Sequence, residues 1–375
     1  MQKPINIVNL ELLKSIIKED YANSKKYLLE SSVDFNSFAN FAAYHKLSGY
    51  LYSIISNSPL RDAFPLGLIK DLKLSYIKQW SKNEKLLREI KILNKLSQKE
   101  DYDMLFLKGP FLAQHFYGNI DRRLISDIDI LVKSKKDVEG LNSLLSEYGF
   151  KRQSLTFINK DLTYYFTHHF EYKKQAINLD LHWALQSHFT FNFNYKKIWD
   201  KKQEISLQEQ SFAVLSDEYT LVIILLAIFM DIQYGGLYFK SLIDAYMILK
   251  AINKAFDWEL FFENRKKEGL FLISFGMLDL VINSLECHDE FKELTSYIEK
   301  NKTVIKYRGL GYSLNIFNRS RYSISAFRSK LWAFKLYDSP VIMSFFWWIV
   351  SGFWRIMVCR NNNPRILNKL VDCLS

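Results

Sequence analysis

The chain has 375 residues, 49% apolar and 24% charged, a balance that excludes a disordered polyelectrolyte and allows two or three domains around a substantial core. With only 13 Gly and 6 Pro against 29 Phe and 22 Tyr, a loop-rich β-sandwich is disfavoured and long helices are favoured. The net charge of +11 admits nucleic acid, anionic lipid or phosphorylated partners, although codon bias toward Lys, Asn, Ile, Phe and Tyr would give the same charge.

Residues 7–30 are predicted as one helix, with Val8, Leu12, Leu13, Ile16 and Ile17 on a common face. The run 34–57 opens on Asp34, a suitable N-cap, and spaces Phe35, Phe38, Phe41, Ala42, Leu47, Leu51, Ile54 and Ile55 helically. Pro59 and Pro65 punctuate a loop, after which 66–98 is again helical. A helical region over 1–100 therefore precedes a change of pattern. Residues 104–107 read as a short strand that ends in Lys108-Gly109-Pro110, followed by a helix over 111–116. Pro110 stands near its first position, where a missing N–H is tolerated. The stretch 126–132 alternates apolar residues with carboxylates, the period-2 signature of a strand. A helix over 136–148 ends before Gly149, and alternating aromatic segments follow at 163–172 and 176–183. These elements form an αβ core at 101–205. Helical periodicity returns at 217–233, 237–252, 257–283 and 286–300, which forms a helical domain over 206–302. A basic, aromatic-rich helical region closes the chain over 303–375. The expected fold class is α+β, a small mixed sheet flanked by helices.

Cys287, Cys359 and Cys373 form neither a disulfide framework nor a zinc spacing, so a reducing, cytoplasmic location is expected. The first 20 residues hold no apolar signal core. The uncharged run 219–230 is too short for a bilayer, which needs roughly 20 residues. The run 339–354 (SPVIMSFFWWIVSGFW) is read as a buried or oligomer-forming helix, with a peripheral membrane contact as the alternative that Lys335, Arg355, Arg360 and Arg365 keep open.

The chemistry concentrates on Asp127 and Asp129, which share one face of the 126–132 strand while Ile128, Ile130 and Val132 pack the other. Paired carboxylates repel, and a divalent cation between them removes that cost; Mg²⁺ fits, being held by carboxylates plus substrate phosphates. In 179–183, Asp180 and His182 share a face, so pairing near 126–132 would bring three carboxylates together. Two metal ions on three carboxylates suit in-line displacement at phosphorus. Gly109 would let backbone approach phosphate, Lys108 could touch it, and Arg123 could either contact phosphate or brace the loop through a salt bridge. Asp101-Tyr102-Asp103 repeats the D-x-D spacing in a polar linker and reads as a decoy. His168-His169 invites a zinc reading, but no companion ligand has metal spacing, so the pair reads as structural. His182 and Trp183 read as packing groups.

Leu107-Lys108-Gly109, Tyr117, Arg123, Asp127-Ile128-Asp129-Ile130-Leu131-Val132 and Asp180-Leu181-His182-Trp183 together resemble the bacterial uncharacterised nucleotidyltransferase family, of the polymerase-β-like superfamily. Asp34-Phe35, Ala42, His45, Asn83, Leu86, Glu89-Ile90 and Leu242-Ile243-Asp244 extend the resemblance over roughly residues 30–250. It implies that Gly109 holds the triphosphate and that Asp127, Asp129 and Asp180 bind Mg²⁺; Lys108 and Arg123 are the further candidates for contact with the nucleotide. The implied reaction moves a nucleoside monophosphate from an NTP to a hydroxyl-type acceptor, a small molecule before a protein or RNA, and releases pyrophosphate. Pro110 stands where most members carry a small residue such as Ser. A toxin-like transferase acting on tRNA and a catalytically inactive nucleotide-binding scaffold are the alternatives.

Overall fold

A computed structural model describes residues 6–153, 164, 167–186, 191–233, 236–304, 332–333 and 335–338. The 339–354 run, Cys359 and Cys373 lie outside the described residues. Seven strands form one mixed sheet: β1 (Met104–Phe106), β2 (Ile128–Val132), β3 (Lys151–Arg152), β4 (His169–Lys174), β5 (Ile177–His182), β6 (Gln203–Leu207) and β7 (Gln210–Val214), in the order β3-β4-β5-β2-β1-β7-β6. β2 runs antiparallel to β1 and parallel to β5, while β4–β5 and β6–β7 are antiparallel hairpins.

The alternation of each strand decides what its two faces meet. Met104, Phe106, Ile128, Ile130, Val132, Phe170, Tyr172, Leu179, Leu181, Phe212 and Val214 share one face and pack with Leu86, Leu87, Ile90 and Leu93 of the 34-residue helix Leu66–Lys99, and with Val138, Leu141 and Leu145 of the helix Lys135–Glu147. The opposite face carries Leu105 and Leu131, which join a helical core built from the chain's two ends. Asp129, Asp180 and His182 lie on this second face. A one-residue slip of β2 or β5 would push carboxylates into the apolar layer, so the pattern that fixes the core also fixes the acids.

Three predicted helices are each divided in two. The 7–30 run breaks into Ile7–Ile17 and Tyr21–Glu30 at Glu19 (φ 57°), and Asp20 caps the second piece by accepting from the Asn23 N–H at 3.1 Å. Phe35–Tyr44 and Ser48–Ile55 part at Lys46 (φ 62°), and Trp258–Glu268 and Phe271–Leu285 part at Gly269 (φ 70°). Glu and Lys seldom adopt a left-handed conformation, so two of these breaks carried no signal in composition. The β6–β7 hairpin, also unforeseen, turns through Gln208 (φ 46°) and Glu209 (φ 68°) where Asn-Gly would announce a tight hairpin, and it carries the sheet on to Val214.

No helix among the described residues is long and apolar enough to cross a membrane. The helix Asp217–Gln233 contains the 219–230 run and is buried along most of its length.

Candidate active site

Asp129 stands directly opposite Asp180 across the parallel β2–β5 pair, and Asp180 in turn faces Glu171 across β4–β5. Three carboxylates therefore form a row across three neighbouring strands. Donor atoms of Asp129, Asp180 and His182 lie within 4.8 Å of one another. Asp127 precedes the first residue of β2 on the same face; it accepts from the Ser126 hydroxyl at 2.7 Å, and its charge is felt by Asp180.

This row behaves as a place built for positive charge. Burial pushes the Asp180 carboxyl up to about 7; His169 opposes that rise, and the charges of Asp129 and Asp127 add to it. Burial also disfavours ionisation of Asp129, but the Lys108 ammonium and the His182 imidazole hold its carboxyl well below the usual carboxylate range. Two carboxylates one strand apart, one ionised and its neighbour resisting ionisation, form a site whose repulsion a bound cation relieves. The two carboxylates offer the oxygen donors that Mg²⁺ takes, with the His182 nitrogen beside them as a donor of another kind. The residues present thus fit a divalent ion, with Asp129 and Asp180 central and Asp127 at the strand's entrance.

Lys108 and Gly109 follow β1. Gly109 adopts φ 68°, ψ −133°, a conformation close to glycine's own, and leads into the helix Pro110–Tyr117 without a side-chain cap. A Cβ there would meet Ile125 Cγ2 at 3.7 Å, an ordinary contact, so backbone conformation and not space demands the glycine. Gly109→Ala should therefore cost about 1–3 kcal/mol, read as a lowered thermal midpoint with the secondary structure retained. Pro110 occupies the first helical turn, where its missing N–H has no helical partner to lose.

Arg123 forms a salt bridge, one of the two roles open to it. Its Nε and Nη2 donate to Asp244 Oδ1 and Oδ2 at 2.7 and 2.9 Å, and the pair is only 7% and 2% exposed. The Tyr117 hydroxyl donates to Asp244 at 2.6 Å and Lys240 Nζ at 3.1 Å, which makes Asp244 the hub of a buried network between the sheet's loops and the helix Phe239–Ile252. Asn83, fully buried, donates to the Ile120 and Arg123 carbonyls at 2.8 Å and accepts the Ile125 N–H at 3.2 Å. Together these residues clamp the loop that delivers Asp127.

Basic residues that pattern reading passed over stand nearby. Lys82, on the face of the helix Leu66–Lys99 beside Asn83, interacts with Asp127 and with Lys46, and burial lowers its ammonium's pKa. Lys46 in turn acts on Lys240 and Asp231. Lys-rich helices are common, so nothing in the sequence separates Lys82 from its neighbours. Burial pushes Asp231 up to about 6, against the Ser241 hydrogen bond. Between about pH 4 and 6 the folded chain keeps a proton that the unfolded chain has lost, so this group costs stability as pH rises through that window. Asp231→Asn should remove that slope, and thermal midpoints of the variant and wild type should diverge from pH 4 to 7 in the variant's favour. Asp103 of the decoy D-x-D pairs with Lys133 at 2.9 Å on the exposed surface, away from the row.

A family model described as uncharacterised nucleotidyltransferase matches residues 31–283, more than half of the chain and all seven strands. No curated protein matches. Among solved structures the chain is similar to an antigenic nucleotidyltransferase-like protein from Paracoccidioides brasiliensis, with 13% identity and a TM-score of 0.32, over 58% of this chain and 93% of that one. With the matched region spanning the sheet, the carboxylate row and the Asp244 clamp, the chain belongs to the uncharacterised nucleotidyltransferase family.

Proposed function

We propose that this nucleotidyltransferase is Mg²⁺-dependent and moves a nucleoside monophosphate from an NTP to a hydroxyl of a small molecule, releasing pyrophosphate. The carrying observation is the Asp129–Asp180 register, which sets two buried carboxylates side by side with Asp127 at the strand entrance. Asp127, Asp129 and Asp180 would hold the ions, which when bound polarise the phosphates and offset the charge of the leaving pyrophosphate. Gly109 leaves the backbone open to phosphate oxygens, and the uncapped N–H groups after it favour negative charge. The Lys108 charge acts on Asp129, and Lys82 with Lys46 adds positive charge on the Asp127 side, where a triphosphate needs it. The acceptor oxygen bonds to the α-phosphorus as the α–β bridging bond breaks. A carboxylate oxygen of Asp180 left free of the metal can take the hydroxyl proton. Arg123 acts at one remove, by fixing the loop on which Asp127 stands.

Titration calorimetry with Mg²⁺-ATP and Mg²⁺-GTP tests the binding half of this reading. At least one nucleotide should bind the wild type, and Asp180→Asn should weaken that binding at least about tenfold. Absence of binding by either would favour the inactive scaffold. Steep loss of activity with added salt on an RNA acceptor would favour the tRNA-directed enzyme.

A further inference from the structure

One step along the strands from the carboxylate row lies a row of imidazoles. His169 of β4 faces His182 of β5 directly, and their ring centroids are 5.0 Å apart. His168, immediately before β4, lies 4.5 Å from His169 and 5.8 Å from His182, centroid to centroid. One donor nitrogen from each ring lies within 4.8 Å of the others. In sequence His182 is far from the His168-His169 pair; only the β4–β5 hairpin supplies the missing companion.

We propose that His168, His169 and His182 form a second metal site, selective for a borderline divalent transition ion such as Zn²⁺ or Co²⁺ and separate from the oxygen-ligand site for Mg²⁺. Neutral imidazoles are ligands for such ions and poor ligands for Mg²⁺. His182 Nε2 lies 3.4 Å from Asp129 Oδ1. An ionised carboxylate only accepts, so the ring proton belongs on Nε2 and the Nδ1 lone pair is left available. That Nδ1 is buried without a hydrogen-bond partner, in a side chain that is itself 11% exposed. In His169 the Nδ1 is likewise buried without a partner, while Nε2 stands 3.8 Å from Oε1 of the exposed Glu171, beyond hydrogen-bond length. A carboxylate behind the imidazole is the usual way a protein orients a histidine ligand and fixes its tautomer. Tetrahedral ligation at about 2.1 Å places donors about 3.4 Å apart, and one donor nitrogen of each ring already lies within 4.8 Å of the others. Three protein ligands leave a fourth position for water or a substrate atom. Asp129 is shared in a specific sense: it orients His182 and also belongs to the carboxylate row, so the two sites are neighbours.

The proposal depends on the site described above only through that shared neighbour, and its test reads metal content in the absence of nucleotide. Full-length protein is loaded with Co²⁺ in a large excess of Mg²⁺, then assayed for bound metal and for visible d–d absorption. Wild type and Asp127→Asn should each keep about one Co²⁺ with the intense bands of four- or five-fold coordination, and the double variant His168→Gln, His169→Gln should lose at least about tenfold in affinity. X-ray absorption of the Zn²⁺-loaded wild type should show imidazole scattering, a readout that needs no variant to fold. Failure of the wild type to retain Co²⁺ against Mg²⁺, equal retention by the double variant, loss in Asp127→Asn, or an all-oxygen zinc shell would each overturn the site. Loss of nucleotide binding with Co²⁺ retained would instead strike the nucleotidyl-transfer reading and leave this one standing.

Discussion

Replacing Asp244 by alanine is expected to destabilise the protein by about 4 kcal/mol, more than any surface substitution in the chain. The reason is what remains behind. Arg123 would keep its charge in a position 7% exposed, and Lys240 and Tyr117 would lose the carboxylate to which both donate. Asp244 itself is held well below the usual carboxylate range: burial opposes its ionisation, but Arg123 and Lys240 outweigh it. An apolar replacement of the pair, Arg123→Met with Asp244→Leu, should be milder than Asp244→Ala alone, because it removes the orphaned guanidinium and leaves only Lys240 and Tyr117 without the carboxylate. Thermal unfolding of the two variants distinguishes the cases; a double variant as unstable as Asp244→Ala would show that the buried Arg123 charge is not the dominant cost. Because the same network holds the loop before β2, Asp244→Ala should also weaken nucleotide binding while leaving the β2–β5 register intact.

The second large effect concerns chemistry. Asp129→Asn keeps size and shape but removes the charge that faces Asp180, so the fold should survive and the row should lose its hold on divalent ions. Transfer activity should drop by about 10³-fold, equivalent to roughly 4 kcal/mol of transition-state stabilisation. In metal-free protein the same change should lower the pKa of Asp180, since one carboxylate that opposes its ionisation is gone. A carboxyl resonance followed by NMR titration would report that shift; a value unmoved by Asp129→Asn would assign the rise to burial and to the charges of Asp127 and Glu171.

Much of this was legible from the residues, and what was missed shares a physical cause. Strand periodicity put Asp127 and Asp129 on one face and Asp180 with His182 on another, and backbone pairing then placed Asp129 against Asp180. Period-2 patterning is strong where one face is buried, and here the buried face includes Ile128, Ile130, Leu179 and Leu181. Breaks at Glu19 and Lys46 were invisible because they rest on left-handed residues with ordinary side chains, closed by local backbone bonds (Asp20 N–H to the Ser15 carbonyl, Leu47 N–H to the Ala42 carbonyl) that leave no mark in composition. The dual reading of Arg123 could not be resolved without knowing that Asp244 lies across the fold from it, 121 residues away in sequence. The histidines show the same limit from the other side: His168-His169 lacked a third ligand within any recognised spacing, and a hairpin supplied it.

The most direct test of the central claim, that the site formed by Asp127, Asp129 and Asp180 transfers a nucleoside monophosphate, follows the label. Purified protein is incubated with Mg²⁺, a small-molecule extract and an NTP labelled at either the α- or the γ-phosphate. The α-label should appear on an acceptor, the γ-label should leave only as pyrophosphate, and Asp127→Ala with Asp129→Ala should abolish the transfer. Transfer of the γ-label, or α-label transfer that persists in the double variant, would contradict the account.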